Sequence, residues 1–235
     1  MIKCKLWIAQ VPLYAIALLG IIFLALLIDK KAVSVHQLYR NEKHTIFVID
    51  AGHGGEDGGA ISCTGIPESA YNLKIAIRLE KVMQLLGYRT CMTRTTDTAL
   101  HTEGNTIAAR KVSDLKARIS LVNAFGNAVL ISIHQNYFAQ AKYRGTQVFY
   151  AKGESSEALA KGIQRTVREH LMPENNREAK KAEGIYLMDH ITNPGILIEC
   201  GFLSNPEEEM LLRNEDYQKL LTCVIASGLA EYLIS

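Results

Sequence analysis

The chain is predicted to adopt an α/β fold: a single-domain, twisted, mostly parallel sheet flanked by helices. Two observations predict it. Short β-branched runs alternate with stripes of apolar residues at helical spacing, and no internal repeat or low-complexity tract interrupts them.

Taken in order, the first run is Thr45–Ile49, which leads into a glycine-rich turn. Leu73, Ala76, Leu79, Met83 and Leu86 then recur at the spacing of a helix, with Gly87 as its C-cap. Tyr88–Thr93 is the second run. Val112, Leu115, Ile119 and Val122 form the next stripe, which ends at Gly126. Val129–Ile133 and Thr146–Tyr150 follow as strands. Leu159, Ile163 and Val167 make a third helix, stopped by Pro173. Ile185–Met188 and Ile196–Glu199 are the last two runs, and Leu221, Val224 and Ile225 belong to a helix near the C-terminus. In such folds the ligand crevice lies beyond the carboxyl ends of the strands, so chemistry is sought there.

The N-terminus has a different character. Leu6 to Ile28 is a run of 23 residues without a charge, flanked by Lys3 and Lys5 before it and Asp29-Lys30-Lys31 after it. About 20 apolar residues cross the hydrocarbon core of a membrane. A cleaved signal peptide is the rival reading, but its apolar core is usually about 7–15 residues, and no convincing small-x-small site follows. The expected division is therefore a transmembrane signal-anchor and short linker over 1–43, then a catalytic domain over 44–235. The flanking lysines nearly balance, so they give only a slight bias toward a cytoplasmic N-terminus.

Composition excludes more than it selects. Of 235 residues, 48% are hydrophobic and 21% charged, which suits a packed core and not a disordered chain. A net charge of +2 with no Lys/Arg block argues against a nucleic-acid partner. The 5 cysteines are odd in number and match no zinc-finger or disulfide spacing, so they read as scattered small residues.

Two histidines stand at strand ends. His53 follows the first run within Asp50-Ala51-Gly52-His53-Gly54-Gly55-Glu56-Asp57-Gly58-Gly59, and His134 follows Val129–Ile133. The glycine loop fits neither phosphate-binding pattern, G-x-x-x-x-G-K-[ST] or G-x-G-x-x-G. A lone strand-end histidine is more often structural, but two on neighbouring predicted strands suggest a metal, and imidazole suits zinc. The third ligand should be a carboxylate or another histidine. Glu68 opens the helix after the glycine loop, although a glutamate there also complements the helix dipole. Glu199 closes an apolar strand, where it is either salt-bridged or a general base beside the metal.

Four segments then coincide in unbroken order. Ile49 to Gly55, Glu68, Ser132-Ile133-His134-Gln135-Asn136 and Glu199 to Asn205 resemble the zinc-dependent N-acetylmuramoyl-L-alanine amidases of the type-3 family, from about residue 44 to the C-terminus. Met92 to Thr98, Arg110 to Arg118 and Gly184 to Met188 resemble the spore-cortex members in particular. The resemblance implies zinc (Zn2+) held by His53, Glu68 and His134, with Glu199 as the catalytic carboxylate and peptidoglycan as substrate. Asn136 and Arg94 are candidate substrate contacts. It also implies a lipoprotein activator and a muramic-acid deacetylase acting afterwards toward muramic-δ-lactam. The setting would be membrane-anchored and extracytoplasmic, in the intermembrane space of the developing spore, with cleaved secretion as the alternative. A zinc carboxypeptidase or endopeptidase on stem peptides would use the same metal chemistry. A non-catalytic peptidoglycan-binding module is the other alternative, and the presence of all three ligands and Glu199 argues against it. Ala51 stands where many relatives have proline, and Tyr137 stands where a small residue is common.

Overall fold

The computed structural model describes residues 45–234. The anchor and linker expected over 1–43 lie outside the described residues, and among those described no helix is long and apolar enough to cross a membrane.

The elements run β1 (Ile46–Ala51), α1 (Glu68–Leu85), β2 (Arg89–Met92), α2 (Ile107–Asn123), β3 (Ala128–Asn136), β4 (Gln147–Tyr150), α3 (Glu154–His170), β5 (Lys180–Lys181), α4 (Tyr186–His190), β6 (Gly195–Phe202), α5 (Pro206–Arg213) and α6 (Glu215–Ile234). They form one sheet in the order β2-β1-β3-β6-β4-β5. Every pairing is parallel except β4 against β6.

The central strands are covered on both faces, which is why they read as unbroken apolar runs. On one face Phe47, Ile49, Ile131, Ile133 and Ile198 pack with residues of α1, α3, α5 and α6, including Ile75, Leu79, Ile163 and Leu229. On the other face Val48, Leu130 and Leu197 pack with Val122 of α2 and with Leu187 and Met188 of α4. From β1 the chain moves outward to β2, then returns to β3 on the opposite side of β1. That reversal opens a crevice at the carboxyl ends of β1 and β3.

Some expectations differ from the structure. The run Ile185–Met188 is not a strand; it belongs to the short helix α4. Four apolar residues show no period, and burial of both Leu187 and Met188 in one cluster is what a helical turn provides. Val112 is exposed, whereas Leu115, Ile119 and Val122 of the expected stripe pack against the sheet, joined on that side of α2 by the buried Ser113 and Arg118. β5 and α5 were not expected. α5 begins at Asn205, whose Oδ1 accepts from Glu207 N and Glu208 N, with Pro206 at the first turn. His134 and Glu199 lie inside their strands and not at the ends, because β3 continues to Asn136 and β6 to Phe202.

Candidate metal centre

The crevice is built from three elements. β1 delivers the glycine loop with His53, β3 delivers His134, and the first residue of α1 is Glu68. One donor atom from each lies within 4.8 Å of the other two. His53 Nε2 stands 3.3 Å from Glu68 Oε2, and His134 Nδ1 stands 2.9 Å from Glu68 Oε1.

Glycines make room for these side chains. A Cβ on Gly52 would meet His134 Nε2 at 2.2 Å, and one on Gly59 would meet Glu68 Oε2 at 2.6 Å and His53 Cδ2 at 2.8 Å. His53 itself adopts the left-handed region, φ 59°, uncommon for a side chain with a Cβ. Arg118 Nη2 holds that turn by donating to His53 O at 2.8 Å.

The Glu68 carboxylate is buried and fully collected. Oε2 accepts from Ala60 N at 3.0 Å, and Oε1 accepts from Gln135 N and Asn72 Nδ2, each at 3.1 Å. Burial alone would push its pKa up. The hydrogen bonds and charge of His134 and His53 outweigh that and hold the carboxyl far below the usual range. For His53, burial works against the charged form, but Glu68 and Asp57 raise its pKa above the ordinary value.

Glu199 faces the same crevice, because β6 pairs it in parallel register with His134. Its Oε2 is buried without a hydrogen-bond partner. Burial pushes the Glu199 carboxyl up; His134 and His53 pull it back and Glu68 adds to the rise, leaving it at about 7. A carboxyl so placed can take and return a proton near neutral pH. Asn136, two residues beyond His134, sits half-buried at the break in register opposite Phe202.

Arg94 is not placed to meet a substrate. It is 4% exposed, and its guanidinium donates to Ala51 O, Gly52 O, Ser69 O and Thr96 O. With four of its roughly five N–H groups taken by backbone carbonyls, it ties the glycine loop to α1. Arg118 is likewise buried, pairing with Asp50 and Asp114.

Several residues that shape the centre were not singled out from sequence. Asp50 is buried beneath it, bonded by Ser132 Oγ at 2.6 Å, Thr93 Oγ1 at 2.8 Å and Arg118. Burial pushes the Asp50 carboxyl up, but Arg118 and the hydroxyls outweigh this and hold it at about 2. Asp57 Oδ2 lies 2.9 Å from His53 Nδ1. Its i+4 relation to His53 within the loop was the available signal.

Residues 47–231 match the N-acetylmuramoyl-L-alanine amidase family. The germination-specific N-acetylmuramoyl-L-alanine amidase of Bacillus subtilis (strain 168) is 41% identical over 189 residues, covering 80% of this chain and 79% of that protein. Among solved structures, the CwlD amidase from Clostridioides difficile in complex with the GerS lipoprotein superposes with a TM-score of 0.77 at 37% identity, over 80% of this chain and 98% of that one. An N-acetylmuramoyl-L-alanine amidase from Clostridium difficile 630 gives 0.71 at 31% identity, over 83% and 98% of the two chains.

Proposed function

The chain belongs to the N-acetylmuramoyl-L-alanine amidase family, and on that premise we propose that it hydrolyses the muramoyl–L-alanine amide of peptidoglycan through a zinc site at His53, Glu68 and His134. The observation that carries the reading is the convergence of these three donors with Glu199 in register beside them.

The donor set fits zinc. Two imidazole nitrogens and one carboxylate oxygen suit the ion, and three protein ligands leave a fourth position open. Donors about 2 Å from zinc stand roughly 3.3 Å apart at the corners of a tetrahedron. The Nε2–Oε2 separation here is 3.3 Å, and the glycines leave space where a Cβ would displace a ligand. When bound, zinc acts as a Lewis acid that acidifies water and polarises a carbonyl oxygen.

Glu199 does the proton work. Its ionised carboxylate removes a proton from the attacking water as the water oxygen bonds to the lactyl carbonyl carbon. It then hands that proton to the nitrogen of L-alanine as the C–N bond breaks, leaving a free carboxylate and an amine. Asn136, two residues beyond His134 at the end of β3, orients the substrate in this reading.

The test is Glu199→Gln. Zinc binding should persist while peptide release from peptidoglycan, read by mass spectrometry, falls by at least ~100-fold. Turnover at the wild-type rate would refute the role of Glu199. The same spectra separate amidase products from those of an endopeptidase.

The likeness to a germination-specific amidase supports action on spore cortex, removing stem peptides so that a separate deacetylase can proceed toward muramic-δ-lactam. By the same likeness we assign a lipoprotein partner, since CwlD is solved with GerS. The uncharged run Leu6–Ile28 supports anchoring by residues 1–43, with the catalytic domain on the wall side. Protease added to intact developing spores' outer compartments should cut the domain; protection equal to that of a cytoplasmic marker would overturn this topology.

A further inference from the structure

We infer that Asp57 and Lys111 form a positioning chain that sets how tightly His53 holds a metal ion, anchoring that ligand to helix α2. This rests on the reading of His53, Glu68 and His134 as zinc ligands.

The two ring nitrogens of His53 have different partners. Nε2 points to Glu68 Oε2 at 3.3 Å, toward the centre, and Nδ1 points away to Asp57 Oδ2 at 2.9 Å. An imidazole that binds a cation through Nε2 carries its proton on Nδ1, and a carboxylate accepting that N–H fixes both the tautomer and the ring plane. Asp57 is itself held: Lys111 Nζ of α2 lies 3.2 Å from the same Oδ2, and Oδ1 accepts from Gly59 N at 3.4 Å.

The backbone does not favour this pose unaided, since His53 sits at φ 59° in a loop of glycines. The contacts that hold the ring and its carbonyl both lead to α2, through Lys111 and Arg118. An adjacent pair supplies a contrast. Glu56 is bridged by Arg110 of α2, with Nη2–Oε2 at 2.8 Å, tying the same loop to the same helix without touching the His53 ring. An exposed ion pair contributes little to stability, so the Lys111–Asp57 pair should read out in metal affinity and not in folding.

The test measures zinc affinity of the full chain by competition with a chromophoric chelator, together with the d–d absorption of the cobalt-substituted protein. Asp57→Ala should weaken zinc binding by about 10–100-fold and alter the cobalt spectrum. Asp57→Asn keeps an oxygen acceptor for Nδ1–H and should restore most of the wild-type spectrum. Lys111→Ala should cost severalfold in affinity, while Glu56→Ala leaves it unchanged. Wild-type affinity in Asp57→Ala would overturn the inference, as would an equal loss in Glu56→Ala, which would make loop tethering the cause. If the wild type binds no zinc, the ligand reading falls and takes this one with it.

Discussion

Gly52→Ala gives a sharp test of the metal centre, because the cost follows from a single contact. The added Cβ would stand 2.2 Å from His134 Nε2, 2.3 Å from Cε1 and 2.7 Å from Cδ2. Carbon and nitrogen atoms settle no closer than about 3.5 Å, so the ring must retreat by roughly 1 Å or more. Metal ligands tolerate only about 0.2 Å of misplacement. His134 is therefore driven out of the coordination geometry, and zinc affinity should fall at least ~100-fold, with a folding cost of about 1–3 kcal/mol for overpacking. Zinc content after dialysis, chelator competition and thermal unfolding of the metal-free protein measure the two effects separately. Gly65→Ala is the control for a glycine-to-alanine change without a clash: nothing lies within 4 Å of its Cβ, although, unlike Gly52, it has a positive φ of 86°. It should cost about 1–2 kcal/mol of strain and leave zinc binding intact. Wild-type zinc affinity in Gly52→Ala would refute the argument that His134 is a ligand packed against this glycine.

Three further outcomes follow from the polar groups around the site. Asp50 is buried with its carboxyl held down at about 2, so its contribution to stability is present above the unfolded value and is lost as the pH falls through about 2. Asp50→Asn should destabilise the protein by about 3 kcal/mol at pH 7, and by less as the pH drops from ~4 toward 2, in urea titrations; a constant difference would contradict the assignment. Arg94→Ala removes four hydrogen bonds to backbone carbonyls, although Ala51 O keeps Arg118, Gly52 O keeps Asn72 and Thr96 O keeps Thr98 N. It should lower stability by about 2–4 kcal/mol with or without metal, whereas a raised KM with unchanged stability would restore Arg94 as a substrate contact. The Glu199 carboxyl must be ionised to accept a proton, and a nearby cation lowers its value from about 7. The acid limb of kcat/KM should therefore lie below that value in the zinc-loaded enzyme, and a limb above it would place the cation out of reach of Glu199.

The sequence by itself determined the layered fold and singled out candidate polar residues for its crevice. Strands β1, β3 and β6 were legible because a parallel strand covered on both faces must be apolar throughout, and Phe47, Val48 and Ile49 are wholly buried. His134 and Glu199 stood out because polar side chains that close such runs need a reason to be there, and His53 because it follows one within a glycine loop. Short elements were not legible: Ile185–Met188 carries no period that separates a strand from a turn of helix. Only the tertiary structure decided which polar groups spend their hydrogen bonds internally. Arg94 and Arg118 look in sequence like exposed cations, yet both are buried and saturated by carbonyls and carboxylates brought together from separate elements. Asp57 and Gly52 owe their importance to contacts with the rings of His53 and His134. Periodicity records which side a residue faces; what its polar atoms meet there depends on distances that only the folded chain sets.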